Sequence, residues 1–178
     1  MNSVGRFMNR RVAVASLVAA VALGIVALGA TRLISGTDAA SLVATQARTA
    51  AISALENQYL AMGSDDSAAI DRLFTGAALE EMRQHRPRIR QMIADQTDYP
   101  GRRMLSNVRW MSVAGDSATT FSLRFMAHVK QANMKDGLTV DYSQADEIIQ
   151  VVVVRDAGDG GAWKISNVSW QYAPGSGP

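Results

Sequence analysis

The sequence predicts an α+β domain behind an apolar N-terminal segment, and three observations carry that prediction. Apolar residues recur every three or four positions between Ser41 and Ile93, the spacing of a helix face. From Leu105 onward the period drops to two, most cleanly from Phe121 to Lys130. Glycine-containing turns separate the alternating runs, so helices come first and a meander of antiparallel strands follows, which is an α+β order. The expected architecture is an N-terminal transmembrane helix, then about three helices packed on a curved antiparallel sheet of about four strands.

The N-terminal segment is defined by the run Val12 to Ala30, VAVASLVAAVALGIVALGA, which holds no charged side chain. As a helix it extends about 28 Å, close to the hydrocarbon thickness of a bilayer. Arg6, Arg10 and Arg11 precede it, and only Arg32 follows closely. Positive charge stays on the cytoplasmic side, so the N-terminus is expected in the cytoplasm and the remainder beyond the plasma or inner membrane. Arg32 can reach the headgroups and let Leu33 and Ile34 lengthen the span. The run exceeds the usual length of a secretory-signal core, which favours a retained single-pass anchor over a cleaved signal. Ala27-Leu28-Gly29 is the cleavage site that the rival reading would use. A buried helix of a soluble protein is disfavoured because the run is apolar on every face. The chain thus divides into a basic cytoplasmic stub (1–11), an anchor (12–34), a linker (35–40), an extracytoplasmic α+β domain (41–172) and a flexible tail (173–178).

Composition narrows the function classes. Without cysteine there are no disulfides, thiol nucleophiles or zinc-thiolate sites. The calculated pI of 9.2 suggests a nucleic-acid partner. Yet four of the 18 basic residues flank the anchor, and the rest are outnumbered by the 16 acidic ones. The exported part is slightly acidic, and a nucleic-acid role loses its support.

Within the domain, Val43, Ala47, Ala51, Leu55, Tyr59 and Met62 draw one apolar stripe on a first helix, which Gly63 ends. Ser64 can cap a short second helix, with Asp65 and Asp66 in its first turn and Ile70, Leu73 and Phe74 turned inward. Thr75-Gly76 breaks the chain and caps a third helix carrying Leu79, Met82, Ile89 and Met92/Ile93. Pro87 inside it predicts a kink or a restart near His85–Arg86. Tyr99-Pro100-Gly101 marks the change of period. Leu105 to Val113 reads as the first strand, with Gly115-Asp116 as its turn. Phe121, Leu123, Phe125, Ala127 and Val129 face the core on the second. Asp136-Gly137 turns into a long central strand, Leu138 to Arg155. The glycine-rich Asp156 to Gly161 turns into the last, Trp163 to Trp170.

A helical hairpin, the step Leu73-Phe74-Thr75-Gly76 with Leu79, and the terminal Trp163-Lys164-Ile165 strand resemble the nuclear-transport-factor-2/cystatin-like cone over Ala39 to Tyr172. Combined with a single span, the pattern is similar to three groups of membrane proteins. They are the actinobacterial Mce-associated membrane proteins, the bitopic assembly subunit of type IV secretion and conjugation machines, and the membrane-side domain of plastid and cyanobacterial division proteins. Length fits the Mce-associated group best. The matching residues are packing and turn residues, so the resemblance implies a fold and an envelope setting and transfers no catalytic residue.

Candidate chemistry is sparse. His128 lies on the polar face of the clearest strand, where Tyr59, Asp141 or Asp146 could make it a general base; the plainer reading is a surface histidine. His85 and His128, far apart and without cysteine, supply no metal-ligand spacing. Gly158, Gly160 and Gly161 form a hairpin loop and no phosphate cradle, and no cofactor motif is present. Arg83, Arg86, Arg88 and Arg90 form a basic knot around His85 and Pro87, followed by Arg102 and Arg103. It would suit anionic headgroups or an acidic partner, against the plainer reading of a solvated helix face paired with Glu80 and Glu81. Two functions follow. One is a non-enzymatic, membrane-anchored accessory or assembly subunit of an envelope transport complex, binding other subunits or further copies of itself. The other is a small-molecule pocket protein or enzyme using His128.

Overall fold

The computed structural model describes residues 36–117 and 119–176. The run 12–30, and with it the expected anchor, lies outside the described residues; among them no helix is long and apolar enough to cross a membrane. The chain divides into two units, Met1–Ala39 and Ala40–Pro178, and the second contains the core. Two helices, α1 (Gly36–Gly63) and α2 (Gly76–Ala94), precede four strands: β1 (Tyr99–Ser117), β2 (Thr120–Lys135), β3 (Leu138–Asp156) and β4 (Ala162–Tyr172). The strands form one antiparallel sheet in the order β1-β2-β3-β4.

The α1 stripe buries Ala47, Ala51, Leu55 and Met62, with Ala54 and Ala61 beside them, and half-buries Val43 and Tyr59. On the sheet, Leu123, Phe125, Ala127 and Val129 of β2 and Ile149, Val151 and Val153 of β3 meet this stripe in one apolar cluster. Alternation along each strand puts these residues on one face. α1 is also tied to the edge strand by a polar bond. Glu56 Oε1 accepts the backbone N–H of Leu105 at 3.0 Å, a β1 donor turned away from β2.

Two helices stand where three were expected. Residues 67–73 form successive turns instead of a helix. Ser64 Oγ and Asp66 Oδ1 accept the N–H groups of Asp66 and Ala68 two residues on, which favours turns over a continuing helix. Arg86 takes the backbone carbonyls of Ser64 and Asp66, acceptors that a helix would use itself. The segment then straightens so that Phe74 pairs in parallel with Ile165 of β4, Thr75 N–H donating to Ile165 O at 2.8 Å and Ile165 N–H to Leu73 O at 3.0 Å. This short addition covers part of the open β4 edge. Thr75 occupies the N-cap of α2 in an extended conformation, but its hydroxyl makes no capping bond. α2 runs unbroken through Pro87, with no restart at His85–Arg86, because buried Met82 and Ile89 pin the helix on both sides of the proline.

The strands are longer than the alternation alone delimits. β1 starts at Tyr99, where Tyr99 and Pro100 pair with Met134 and Asn133. Pro100 is tolerated because β1 is an edge strand and needs no outward N–H there. Gly101 is required by crowding: a Cβ at this position would lie 2.3 Å from Met134 Cγ. Past Gly115, β1 continues to Ser117, which pairs with Thr120. With 19 residues each, β1 and β3 are the longest strands. The β1–β2 register shifts at four places, and Asn107 takes φ +52° at the second. Asp136 and Gly137 take φ of 51° and 75°, the paired positive values of a two-residue type I′ hairpin.

At the β3–β4 turn, buried Lys164 meets Asp156 at 2.9 Å and Asp159 at 3.1 Å. The bond to Asp156 raises the Lys164 pKa, and the same bond, helped by Gly158 N–H, holds Asp156 below the usual carboxylate value. The tail also differs from expectation. Residues 173–176 are docked, with Ala173 buried and its N–H, together with Ser176 Oγ, donating to Asp146 O at 2.8 and 2.7 Å.

Phe74 is among the largest fully buried side chains and holds the turn segment to β4. Phe74→Ala is therefore expected to destabilise the protein by about 3–5 kcal/mol in urea unfolding. A loss below about 1 kcal/mol would show that the bridge is peripheral.

Candidate functional site

The basic knot splits into two faces of α2. Arg83, Arg86 and Arg90 recur at three- and four-residue spacing and share one face, while Arg88 falls on the other. The first three are used internally. Arg86 Nη2 donates to Ser64 O at 2.8 Å and Asp66 O at 3.2 Å. Arg90 donates to the same Ser64 carbonyl at 2.7 Å and to the Asp65 carboxylate at 2.8 Å. Arg83 grips both oxygens of Asp71 at 3.2 and 3.1 Å and reaches Glu80. Arg72 closes back on Asp66 within the turn segment. The exposed ion pairs contribute little each, about 0–1 kcal/mol. Arg86, half-buried on main-chain carbonyls, is the stronger member. Arg88 makes no hydrogen bond or ion pair among the described residues, and it borders a groove.

That groove, about 540 Å³, opens between the two helices and the sheet. α1 supplies Leu55, Gln58, Tyr59 and Met62, the result of continuing its core stripe by one polar position. From α2 come Met82, Ile89 and Met92, with Glu81, His85 and Arg88 also lining it. The sheet contributes Arg103, Ile149, Val168 and Trp170. Arg103 of β1 reaches across β2 to donate to Glu147 of β3. Both partners are nine-tenths buried, so the pair exchanges water for one strong mutual contact. Gln58, 6% exposed, makes no side-chain hydrogen bond among the described residues.

His128 is on the other face of the sheet. Its Nδ1 lies 2.8 Å from Asp146 Oδ1, its direct cross-strand neighbour, in a depression shared with Asn107, Arg109 and Met126. Of the partners the sequence offered, only Asp146 is brought to it. Asp141 bonds Asn133, and Tyr59 lines the groove with His85. Among the described residues no group of three His, Cys, Asp or Glu is placed to hold a metal ion. Sequence reasoning missed Gln58 and Glu147, and it grouped Arg103 with the basic knot instead of with a buried carboxylate. Two signals were available: Gln58 interrupts the stripe between Leu55 and Met62, and Glu147 shares strand parity with Ile149, Val151 and Val153.

No protein-family model matches the chain, and no curated protein matches it by sequence. Solved structures do. The intermembrane-space region of chloroplast protein ARC6 matches at 16% identity and a TM-score of 0.51, over 71% of this chain and 97% of that one. A protein from Catenulispora acidiphila matches at 13% and 0.42, over 76% and 93%. The periplasmic domain of DotI matches at 13% and 0.45, over 80% and 99%. At such identity the ARC6 likeness bears on the fold, a helical layer on a four-stranded antiparallel sheet.

Two outcomes follow from the clamp. Arg86→Ala should lower stability by about 2 kcal/mol in urea unfolding, whereas Arg88→Ala should change it by no more than about 0.5 kcal/mol. Equal effects would contradict the division of the knot. The bond from Arg72, then that from Ala68 N–H, holds Asp66 below the ordinary carboxylate value of 3.8. Its contribution is complete above that value and is lost as pH falls through the lower folded one. Urea midpoints of Asp66→Asn should therefore fall less steeply below about pH 4 than those of the parent.

Proposed function

We propose that this chain is a non-enzymatic, membrane-anchored accessory or assembly subunit of a bacterial envelope transport complex, similar to the Mce-associated proteins. The observation that carries the reading is the uncharged run Val12 to Ala30, preceded by Arg6, Arg10 and Arg11 and followed by one folded domain. In this reading the protein crosses the inner or plasma membrane once, over 12–34, and the α+β domain stands outside the cytoplasm. The fold likeness to an envelope-compartment region of ARC6 is compatible with that setting. Assembly with other subunits would use surfaces that the core does not consume: the Arg88 face of α2 and the exposed apolar residues of the β2–β3 hairpin, Leu138, Val140 and Tyr142. A type IV secretion or conjugation channel is the second envelope complex to which such a subunit would suit.

In-cell cross-linking of the full-length protein, followed by mass spectrometry, tests this. Recovery of Mce-type transporter subunits is the expected result, and recovery of secretion-channel subunits would reassign the complex. Capture of nothing but the protein itself would remove the assembly reading and turn attention to His128 and Asp146.

A further inference from the structure

We propose that the groove between α1, α2 and the sheet binds a small aliphatic molecule through a single carbonyl-type acceptor (a carboxylic acid, ester or amide) held by Gln58 and Arg103. The inference stands apart from the assembly role above. An amide that no protein group satisfies and that faces a cavity is free to bond a ligand. Gln58 is such a group: the residue is 6% exposed, unbonded among the described residues and lines the cavity, to which its amide remains open. Arg103, 5% exposed, lines the same cavity and commits one N–H to Glu147. A guanidinium has five donors, so N–H groups remain for a second acceptor.

Charge selects the acceptor. Glu147 already balances Arg103, so the inner wall offers donors without net positive charge. A carbonyl or a singly charged carboxyl group fits this wall better than a phosphate or sulfate, whose greater charge would face the Glu147 carboxylate beside Arg103. The rest of the lining selects the body. Met62, Met82 and Met92 are flexible thioethers that mould to a chain of varied shape, with Leu55, Ile89 and Ile149 completing an apolar wall. A cavity of about 540 Å³ has the size of small-molecule sites.

The test uses full-length protein and a diazirine-bearing octanoic acid, with adducts mapped by mass spectrometry. Adducts are expected on 55–62 of α1 and 82–92 of α2, displaced by octanoic acid and not by octylamine, which lacks the acceptor. Gln58→Leu should weaken displacement by octanoic acid about tenfold, the scale of one well-placed hydrogen bond, while the melting temperature holds or rises. Met92→Trp, which fills the groove, should abolish labelling. A parallel arm presents the diazirine on the acyl chain of phosphatidylcholine in vesicles. Labelling by the free acid alone identifies a soluble ligand, and labelling from vesicles identifies a membrane acyl chain; either supports the site. Scattered adducts, equal displacement by octylamine, or Gln58→Leu behaving as the parent would overturn it.

Discussion

A sheet whose strands reach 19 residues has an apolar face larger than one helix can cover, and the domain is shaped by how that face is closed. α1 does most of it with small residues. Ala47, Ala51, Ala54 and Ala61 let the helix approach the strands closely, and Leu55 and Met62 fill what remains. Alanine contributes little apolar area of its own, so the larger share of burial comes from the residues it lets meet, Phe125, Ile149, Val151 and Val153 among them. The area beyond α1 falls to α2 and to Phe74, and both depend on the turn segment 64–74 being held in place. Arg86 and Arg90 hold its carbonyls, so arginines that look like a surface charge cluster act as part of the packing.

The same closure leaves a gap. Between α1, α2 and the sheet, three methionines and the buried polar residues Gln58 and Arg103 stand among the apolar side chains that line the groove. Gln58 and Arg103 in that wall, and Glu147 paired with Arg103, cost stability relative to aliphatic residues of equal volume. Most of the domain obeys the rule that buried faces are apolar. Its departures from that rule are concentrated on one wall, which is the pattern of a surface kept for something other than folding.

Much of the architecture was legible in the chain. Alternation from Phe121 to Val129 gave β2 its inward face, Asp136-Gly137 gave the hairpin turn, and the Ala47-to-Met62 spacing gave the α1 stripe, because each is a local pattern with one geometric meaning. The parts that were not legible depend on distant partners. Residues 67–73 have the composition of a short helix, but the carbonyls of Ser64 and Asp66 just ahead of them are taken by an α2 arginine some twenty positions later and their end is drawn to β4. Spacing alone could have divided Arg83, Arg86 and Arg90 from Arg88. It could not have told which face meets the turn segment. The tail at 173–176 looked loose because proline, glycine and serine dominate it, and only its docking on Asp146 shows otherwise. Glu147 was visible as a polar residue on an apolar face, but Arg103 as its partner required knowing that β1 and β3 flank β2.

The meander has a consequence for the order in which the chain acquires structure. Each strand pairs with the one before it, so the sheet can zip from neighbour to neighbour with short loops to close. The exception is the contact between Phe74 and Ile165, which joins the segment ahead of the sheet to its final strand. α1 can be covered as soon as β2 and β3 are made, whereas the turn segment leaves the ribosome well before its own partner and waits until β4 has been made. Until Ile165 arrives, Phe74 has no place to go, which makes the last strand the latch of the whole domain.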